Sequence, residues 1–570
     1  MIYLSAQPDT PYFLWQLEIQ LINFRDMGIN PTFIHVLLGF KQKVGPNLEF
    51  QKFEKLNLAR VFYYADERQD QTYVSSIRPH IIAKHFEKNN VPIGEKIFYH
   101  DCDIIFRQRI DIDKNLGCNE WFVSDTRNYI DSKHLREVGG NLAFIDLCKA
   151  VDIDPEAVIQ QDTNAGGAQY ILTDTDSAFW EKIEYYSTVI FKTIKDNYFI
   201  HREAFINEKG GGTSDYIGIQ AWCADMWAML WVGVKLGFKI TIHKELDFCW
   251  PRESLDRYYD TKILHNSGIS EVDSFRLFYK DYYRQHHPYF DNFQLISQDV
   301  CSIKYVDALA KARKFFFQKH NLQNLTFLII IKIDSEDRLC NLDILTRYLY
   351  HNFNTNINIL EVDDIPRINK NTLHPSINYE FIEDIAPVLH RTKYLNYMTR
   401  KANTKFVAIY DVDVIIPVNQ LVETYRLLSD DLYDVIYPYS GNFIGVDPSV
   451  RFDFQRSLEL TTLSSPSDDS LHSNSVGGVF VVNRDRYIEA GCENTNFVGW
   501  GMEDAERYRR FKILGLNIHR STGPLYHLNH FRGKSSYNYG STDIFNKKME
   551  YLKVCAMSAS KLATYVTSFL

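Results

Sequence analysis

Short apolar runs rich in Val, Ile, Leu and Phe alternate with stretches of helical apolar spacing through most of the 570 residues. Ile2 to Ala6, Phe33 to Leu38 and Arg60 to Ala65 read as strands, and Pro11 to Met27 and Ser75 to Phe86 as helices. A second series opens at Leu325 to Ile331, a strongly buried strand. It continues with a helix over Asn341 to His351, a strand over Asn356 to Val362 and a helix opened by Leu389 to Asn396. Strands alternating with helices predict a mostly parallel sheet in each series, hence an α/β fold. Between them, from Glu271 to Asn324, the alternation breaks into an aromatic-rich segment with Tyr279, Tyr282, Tyr283 and Tyr289, followed by an amphipathic helix over Val306 to Phe317. This predicts an amino-terminal domain over 1–270, a helical connector over 271–324 and a carboxy-terminal domain over 325–570 that ends in helix from Asp543 onward.

Two apolar runs are interrupted in the same way. Val407 to Pro417 carries Asp411 and Asp413, and Lys96 to Phe106 carries Asp101 and Asp103. Carboxylates at a buried strand end are costly unless a cation compensates them, and Asp-x-Asp suits a hard divalent ion shared with substrate phosphates. In an open α/β sheet the carboxyl ends of strands border the ligand crevice, so the position fits that chemistry. The competing reading of one such motif is an Asp-rich turn without metal; its repetition favours the site. Paired glycines precede an apolar strand 63 positions after Asp103, at Gly166-Gly167, and 64 positions after Asp413, at Gly477-Gly478. Such glycines let a ligand or another backbone approach closely, or simply make a tight turn. The shared order of landmarks predicts two copies of one architecture with little sequence identity.

Composition narrows the classes. A hydrophobic content of 45% with 24% charged residues is ordinary for globular domains, and a net charge of -9 argues against a general nucleic-acid binder. Nine cysteines without a CxxC pair read as reduced thiols, and the start, Met1 to Asp9, lacks a basic leader segment. No apolar run approaches the roughly 20 residues that span a bilayer. The expectation is a soluble cytoplasmic protein, with peripheral membrane contact left open. His286-His287 lacks a carboxylate or cysteine at ligand spacing and reads as a surface loop, and Gly210-Gly211-Gly212 as a loop able to close over substrate.

Gly499-Trp500-Gly501-Met502-Glu503-Asp504-Ala505-Glu506, together with Gly477 to Phe480, Asp411-Val412-Asp413 and the late His527 and His530, resembles nucleotide-sugar glycosyltransferases of the GT-A fold. The likeness is to family-2 enzymes of the chondroitin-polymerase type and to the carboxy-terminal region of β-1,4-galactosyltransferases, over about Leu325 to Tyr539. It implies Mn²⁺ or Mg²⁺ on Asp413 and on His527 or His530, with a nucleotide-diphosphate sugar, a UDP-sugar, as donor. Asp411 and Gly478 would lie at the donor, Arg391 and Asn396 near the nucleotide, and Glu503 and Trp500 along the donor and acceptor subsites. Asp504 matches the general base. Inverting transfer needs such a base opposite the leaving group and charge neutralisation of the diphosphate, and a carboxyl near an apolar Trp has its pKa raised. The plain reading of Trp500 to Glu506 is a helix start whose dipole favours acidic residues.

The first half is similar to GT-A enzymes in general, with some likeness to retaining family-8 transferases. By that likeness Asp101, Asp103 and His265 would hold a second metal, with Asp101 also on its donor side, Gly167 would approach the donor, and Asp225 is a catalytic or sugar-contacting candidate. A WGxED segment is lacking there. The resulting expectation is two GT-A-like domains that build a glycan by two linkages on a glycan acceptor. The alternatives are a non-catalytic first half that binds acceptor, transfer to a modified nucleic acid or a protein, and a scaffold of degenerate domains. Nucleic-acid transfer requires a basic groove, for which Arg507, Arg509, Arg510 and Lys512 form the nearby cluster, otherwise read as the solvated face of a helix.

Overall fold

The computed structural model describes residues 1–92, 94–112, 117–210, 216–463, 470–472, 474–531 and 540–569. The chain divides into Met1–Phe315 and Phe316–Leu570. In the first unit the sheet strands are β1 (Ile2–Pro8), β2 (Ile34–Phe40), β3 (Arg60–Ala65), β4 (Ile97–Tyr99), β5 (Glu120–Asp125), β6 (Gly166–Leu172) and β7 (Lys239–Ile242). In the second they are β8 (His320–Ile331), β9 (Phe353–Asp363), β10 (Ile377–Glu383), β11 (Phe406–Tyr410), β12 (Val435–Tyr437), β13 (Val479–Asn483) and β14 (Ile518–Arg520).

Both sheets are seven-stranded and have one topology: β3-β2-β1-β4-β6-β5-β7 in the first unit and β10-β9-β8-β11-β13-β12-β14 in the second. β6 and β13 run antiparallel to both of their neighbours and every other pair is parallel. The internal repetition expected from the order of landmarks is therefore a repetition of topology. β4 and β11, the strands that lead to the paired aspartates, are buried along their whole length. Strands covered on both faces of a sheet lose water from every side chain, which is why they read as unbroken apolar runs.

Neither Asp-x-Asp run continues straight. The chain turns at the aspartates and enters a smaller sheet. Ile104–Phe106 pairs antiparallel with Ile263–His265, placing His265 opposite Ile104, and Val414–Ile415 pairs antiparallel with Leu525–Leu528, placing His527 opposite Val414. The residue after each histidine closes the pairing: Asn266 N–H donates to the Asp103 carbonyl at 2.9 Å, and Leu528 N–H to the Asp413 carbonyl at 2.7 Å. Register thus delivers a late histidine to the second aspartate in both units.

Residues 271–315, expected as part of a connector, belong to the first unit. Tyr12 Oη donates to Asp281 at 2.8 Å, Trp15 Nε1 to the Tyr283 carbonyl at 3.0 Å, and Tyr289 Oη to Glu18 at 2.6 Å. His286, expected on a surface loop, is buried in this packing. Helices Ser177–Asp196 and Tyr198–Lys209 follow β6, where the second unit has only the short Arg484–Glu489 before its acidic helix. Gly211 and Gly212, read as part of a closing loop, lie outside the described residues. Among the described residues no helix is long and apolar enough to cross a membrane.

Candidate active site

In the second unit the ends of β8 and β11, the start of β13 and the helix Glu503–Ile513 surround a cavity of about 300 Å³. Asp411, Asp413, Arg391, Gly478, Trp500, Glu503, Asp504, His527 and His530 all line it. His530 Nε2 lies 2.8 Å from Asp413 Oδ2, and His527 Nε2 lies 4.0 Å from the same oxygen. Both histidines accompany Asp413, where the sequence left a choice between them, and their ligating atoms fall within 4.8 Å of one another. A carboxylate with two imidazoles is a donor set that fits a divalent transition-metal ion. Burial opposes ionisation of Asp413, but the hydrogen bond to His530 and the charges of His527, His530 and Arg338 outweigh it and hold the carboxyl below its usual range. Asp411 goes the other way: burial and the charges of Asp413 and Asp504 push it up to about 6 despite its ion pair with Arg391.

Asp504 sits in the first turn of its helix, where the dipole favours an anion. The turn that delivers it is tight. Gly499 and Gly501 have φ of 71° and 119°, and Met502 has φ of 66°, a conformation that costs a non-glycine residue roughly 1 kcal/mol or more. The Gly501 N–H donates to Glu503 Oε2 at 2.7 Å. Arg507 ion-pairs with Asp504 and Glu493 and lies over the Phe480 ring at 4.2 Å. A Cβ on Gly477 would come within 2.5 Å of Asp504 Oδ2, so this glycine makes room for the carboxylate. The carboxyl that burial and the neighbouring Asp504 push up, to about 7, is Glu503. Trp500 is 51% exposed at the cavity wall.

The first unit repeats the arrangement with other residues. His265 Nε2 lies 3.3 Å from Asp103 Oδ1 and 3.6 Å from Asp101 Oδ2. Arg78, on the helix Ile77–Glu87 that leads to β4, ion-pairs with both Asp101 and Asp225. Arg391 opens the corresponding helix, Arg391–Lys401, and pairs with Asp411. Asp225 lies in the first turn of Ala224–Lys235, as Asp504 does in its own helix, and Tyr73 Oη donates to it at 2.8 Å. Trp222, three residues before Asp225, is 60% exposed. A tryptophan and a helix-start aspartate therefore stand in the first unit without the glycines that made the second copy recognisable. Lys280 ion-pairs with Asp103.

Three expectations are corrected. Asn396 does not line the cavity: its amide donates to the Glu493 and Phe569 carbonyls and accepts the Glu493 N–H at 2.8 Å, so it braces buried backbone. Gly167 is a packing glycine, since a Cβ there would meet Met226 at 2.7 Å and the Tyr170 hydroxyl at 2.8 Å. Arg507 and Arg510 are not on a solvated face; both are buried, and Arg510 is held by Glu506 and the Ala490 and Cys492 carbonyls. Arg78, Lys332 and Arg338 were not anticipated. Lys332 and Arg338 follow the end of β8 and line the second cavity, and cations just after a strand end that borders a ligand crevice were the available signal.

Residues 460–534 match the family described as the N-terminal domain of galactosyltransferase. In this region the carboxy-terminal unit is similar to galactosyltransferases. β-1,4-Galactosyltransferase 7 of Drosophila melanogaster is 24% identical over 129 residues, covering 21% of this chain and 39% of its own. The enzymes of that name from Mus musculus and Homo sapiens are each 26% identical over 129 residues, covering 23% of this chain and 31% of theirs. This chain therefore spans between about a third and two fifths of the curated relatives it matches. Among solved structures, the catalytic domain of the Drosophila enzyme in complex with xylobiose is matched at 18% identity and a TM-score of 0.26, over 42% of this chain and 82% of that one. GalNAc-T7 with UDP, GalNAc and Mn²⁺ is matched at 11% identity and a TM-score of 0.28, over 41% and 47%.

Proposed function

We propose that the second unit is a metal-dependent inverting glycosyltransferase that moves a sugar from a UDP-sugar to a glycan hydroxyl, and that the first unit is a second transfer site. The observation that carries the reading is the facing of Asp413, His527 and His530 with Asp504 across one cavity. A divalent ion held by Asp413 and the two histidines would neutralise charge on the departing diphosphate. Lys332, Arg338 and Arg391 add fixed positive charge along the same wall. Asp504, held by Arg507, accepts the proton of the acceptor hydroxyl as its oxygen bonds to the anomeric carbon and the bond to the diphosphate breaks. Exposed Trp500 offers a face on which an acceptor sugar stacks.

The shared topology, the shared histidine register and the pairing of Arg78 with Asp101 and Asp225 support transfer by the first unit. Its stereochemistry is assigned to neither class. Transfer to nucleic acid is disfavoured, because Arg507 and Arg510 are consumed by buried carboxylates and carbonyls and do not form a groove.

The test is donor hydrolysis and transfer across a panel of nucleotide sugars with Mn²⁺, beginning with a galactosyl donor because of the relatives' name. The intact chain is compared with Asp413→Ala and Asp103→Ala. Loss of one donor's turnover in each variant supports two sites. Loss only in Asp413→Ala leaves the first unit a binding domain, and turnover untouched by Asp413→Ala would falsify the catalytic reading.

A further inference from the structure

The two aspartate-histidine clusters differ in what else reaches them. In the second unit Asp413 Oδ2 faces the imidazoles of His530 and His527, with the guanidinium of Arg338 at 4.0 Å from the same oxygen. In the first unit both oxygens of Asp103 are occupied: Oδ1 faces His265 Nε2, and Oδ2 is ion-paired with the ammonium of Lys280. Lys280 is not a wandering surface side chain. It begins the short turn Lys280–Tyr283, whose neighbours are fastened to the helix Pro11–Asp26 by Tyr12 to Asp281 and by Trp15 to the Tyr283 carbonyl. Phe278 stacks on Tyr283 at 5.5 Å within the same anchor.

We infer that the Lys280 ammonium is the resident cation of the first site, standing at Asp103 in place of a divalent ion, so that this site engages the phosphates of its ligand without a metal. The inference rests on the reading of the first unit as a nucleotide-sugar site. Asp101, Asp103 and Asp225 face Arg78 and Lys280 there, so their charge is largely compensated before any ion arrives. A divalent ion would have to expel Lys280 from a turn held at several points. The lysine also lines a cavity of about 520 Å³ with Arg78, Arg284, Asp101 and Asp103, so a phosphate entering it would meet side-chain cations at the wall.

The experiment counts Mn²⁺ ions bound to the full chain by electron paramagnetic resonance, with and without UDP, for the wild type, Asp103→Asn, Lys280→Ala and Lys280→Arg. Lys280→Ala is expected to gain one ion over the wild type, a gain abolished by adding Asp103→Asn. Lys280→Arg and Asp103→Asn alone are expected to match the wild-type count. If Asp103→Asn removes an ion from the wild type, or if a folded Lys280→Ala gains none, the inference is overturned; circular dichroism establishes folding. These counts are independent of turnover. Absence of first-site turnover in the wild type would refute the transferase reading of that unit, whereas the ion counts decide the role of Lys280 whether or not that unit turns over a donor.

Discussion

Arg507 grips Asp504 from one helical turn further along while its Nη1 lies 3.0 Å from both carboxylate oxygens of Glu493. The guanidinium thus fixes the carboxylate without leaving its own charge unpaired. Asp504→Asn keeps the shape and removes the base, and a positioned base contributes about 10²- to 10⁴-fold. Transfer is expected to fall within that range while Mn²⁺ binding is retained. Arg507→Ala strands Glu493 in the interior and is expected to cost about 3–5 kcal/mol of stability. Steady-state transfer assays and urea unfolding separate the two effects.

Gly477 tests the geometry without changing any charge. A methyl group there would press on Asp504 Oδ2 at 2.5 Å, and the backbone at this position is not left-handed, so the fold accommodates alanine. Gly477→Ala is expected to lower kcat by about 10²-fold, the scale of a misplacement near 1 Å, with little change in Tm. A variant with wild-type kcat would show that Asp504 need not stand where it does.

The parts of the site legible in the sequence were those written into contiguous runs. Asp101 and Asp103, and Asp411 and Asp413, interrupt apolar strands, and their cost in a buried run announces a cation. The histidines were legible only as late landmarks; antiparallel register brings them to the aspartates, and that depends on pairing between segments far apart in the chain. Arg507 and Arg510 misled because charged residues on a helix ordinarily face water, and their burial depends on Glu493 and the Ala490 and Cys492 carbonyls. Lys280 lies 177 positions from Asp103, and no local pattern joins them. Trp222 and Asp225 went unmatched because the first unit builds its turn without the glycines of the second.

Asn396 separates a structural role from a ligand-binding one. Its amide satisfies both the N–H and the carbonyl of Glu493, the residue that pairs with Arg507. Asn396→Ala leaves those buried backbone groups unsatisfied and is expected to cost about 1–3 kcal/mol. The KM for the donor is expected to stay within twofold of wild type at a temperature where the variant is folded. A large rise in KM with unchanged stability would return Asn396 to the nucleotide.

Glu503 gives the second unit a pH dependence of stability with a definite sign. Burial and Asp504 raise its folded pKa to about 7, above the unfolded carboxyl value of about 4.3. Below the unfolded value both states hold the proton and the stability contribution is fully present. As pH rises the unfolded chain releases it first, so the contribution is lost progressively up to and through pH 7. The full effect is on the order of 3 kcal/mol. Glu503→Gln keeps an oxygen to accept the Gly501 N–H and cannot ionise. In the absence of donor and metal, its Tm is expected to exceed that of the wild type at pH 8 and to converge with it near pH 4.5. Parallel Tm curves across that range would mean that the Glu503 carboxyl ionises as readily in the folded protein as in the unfolded chain.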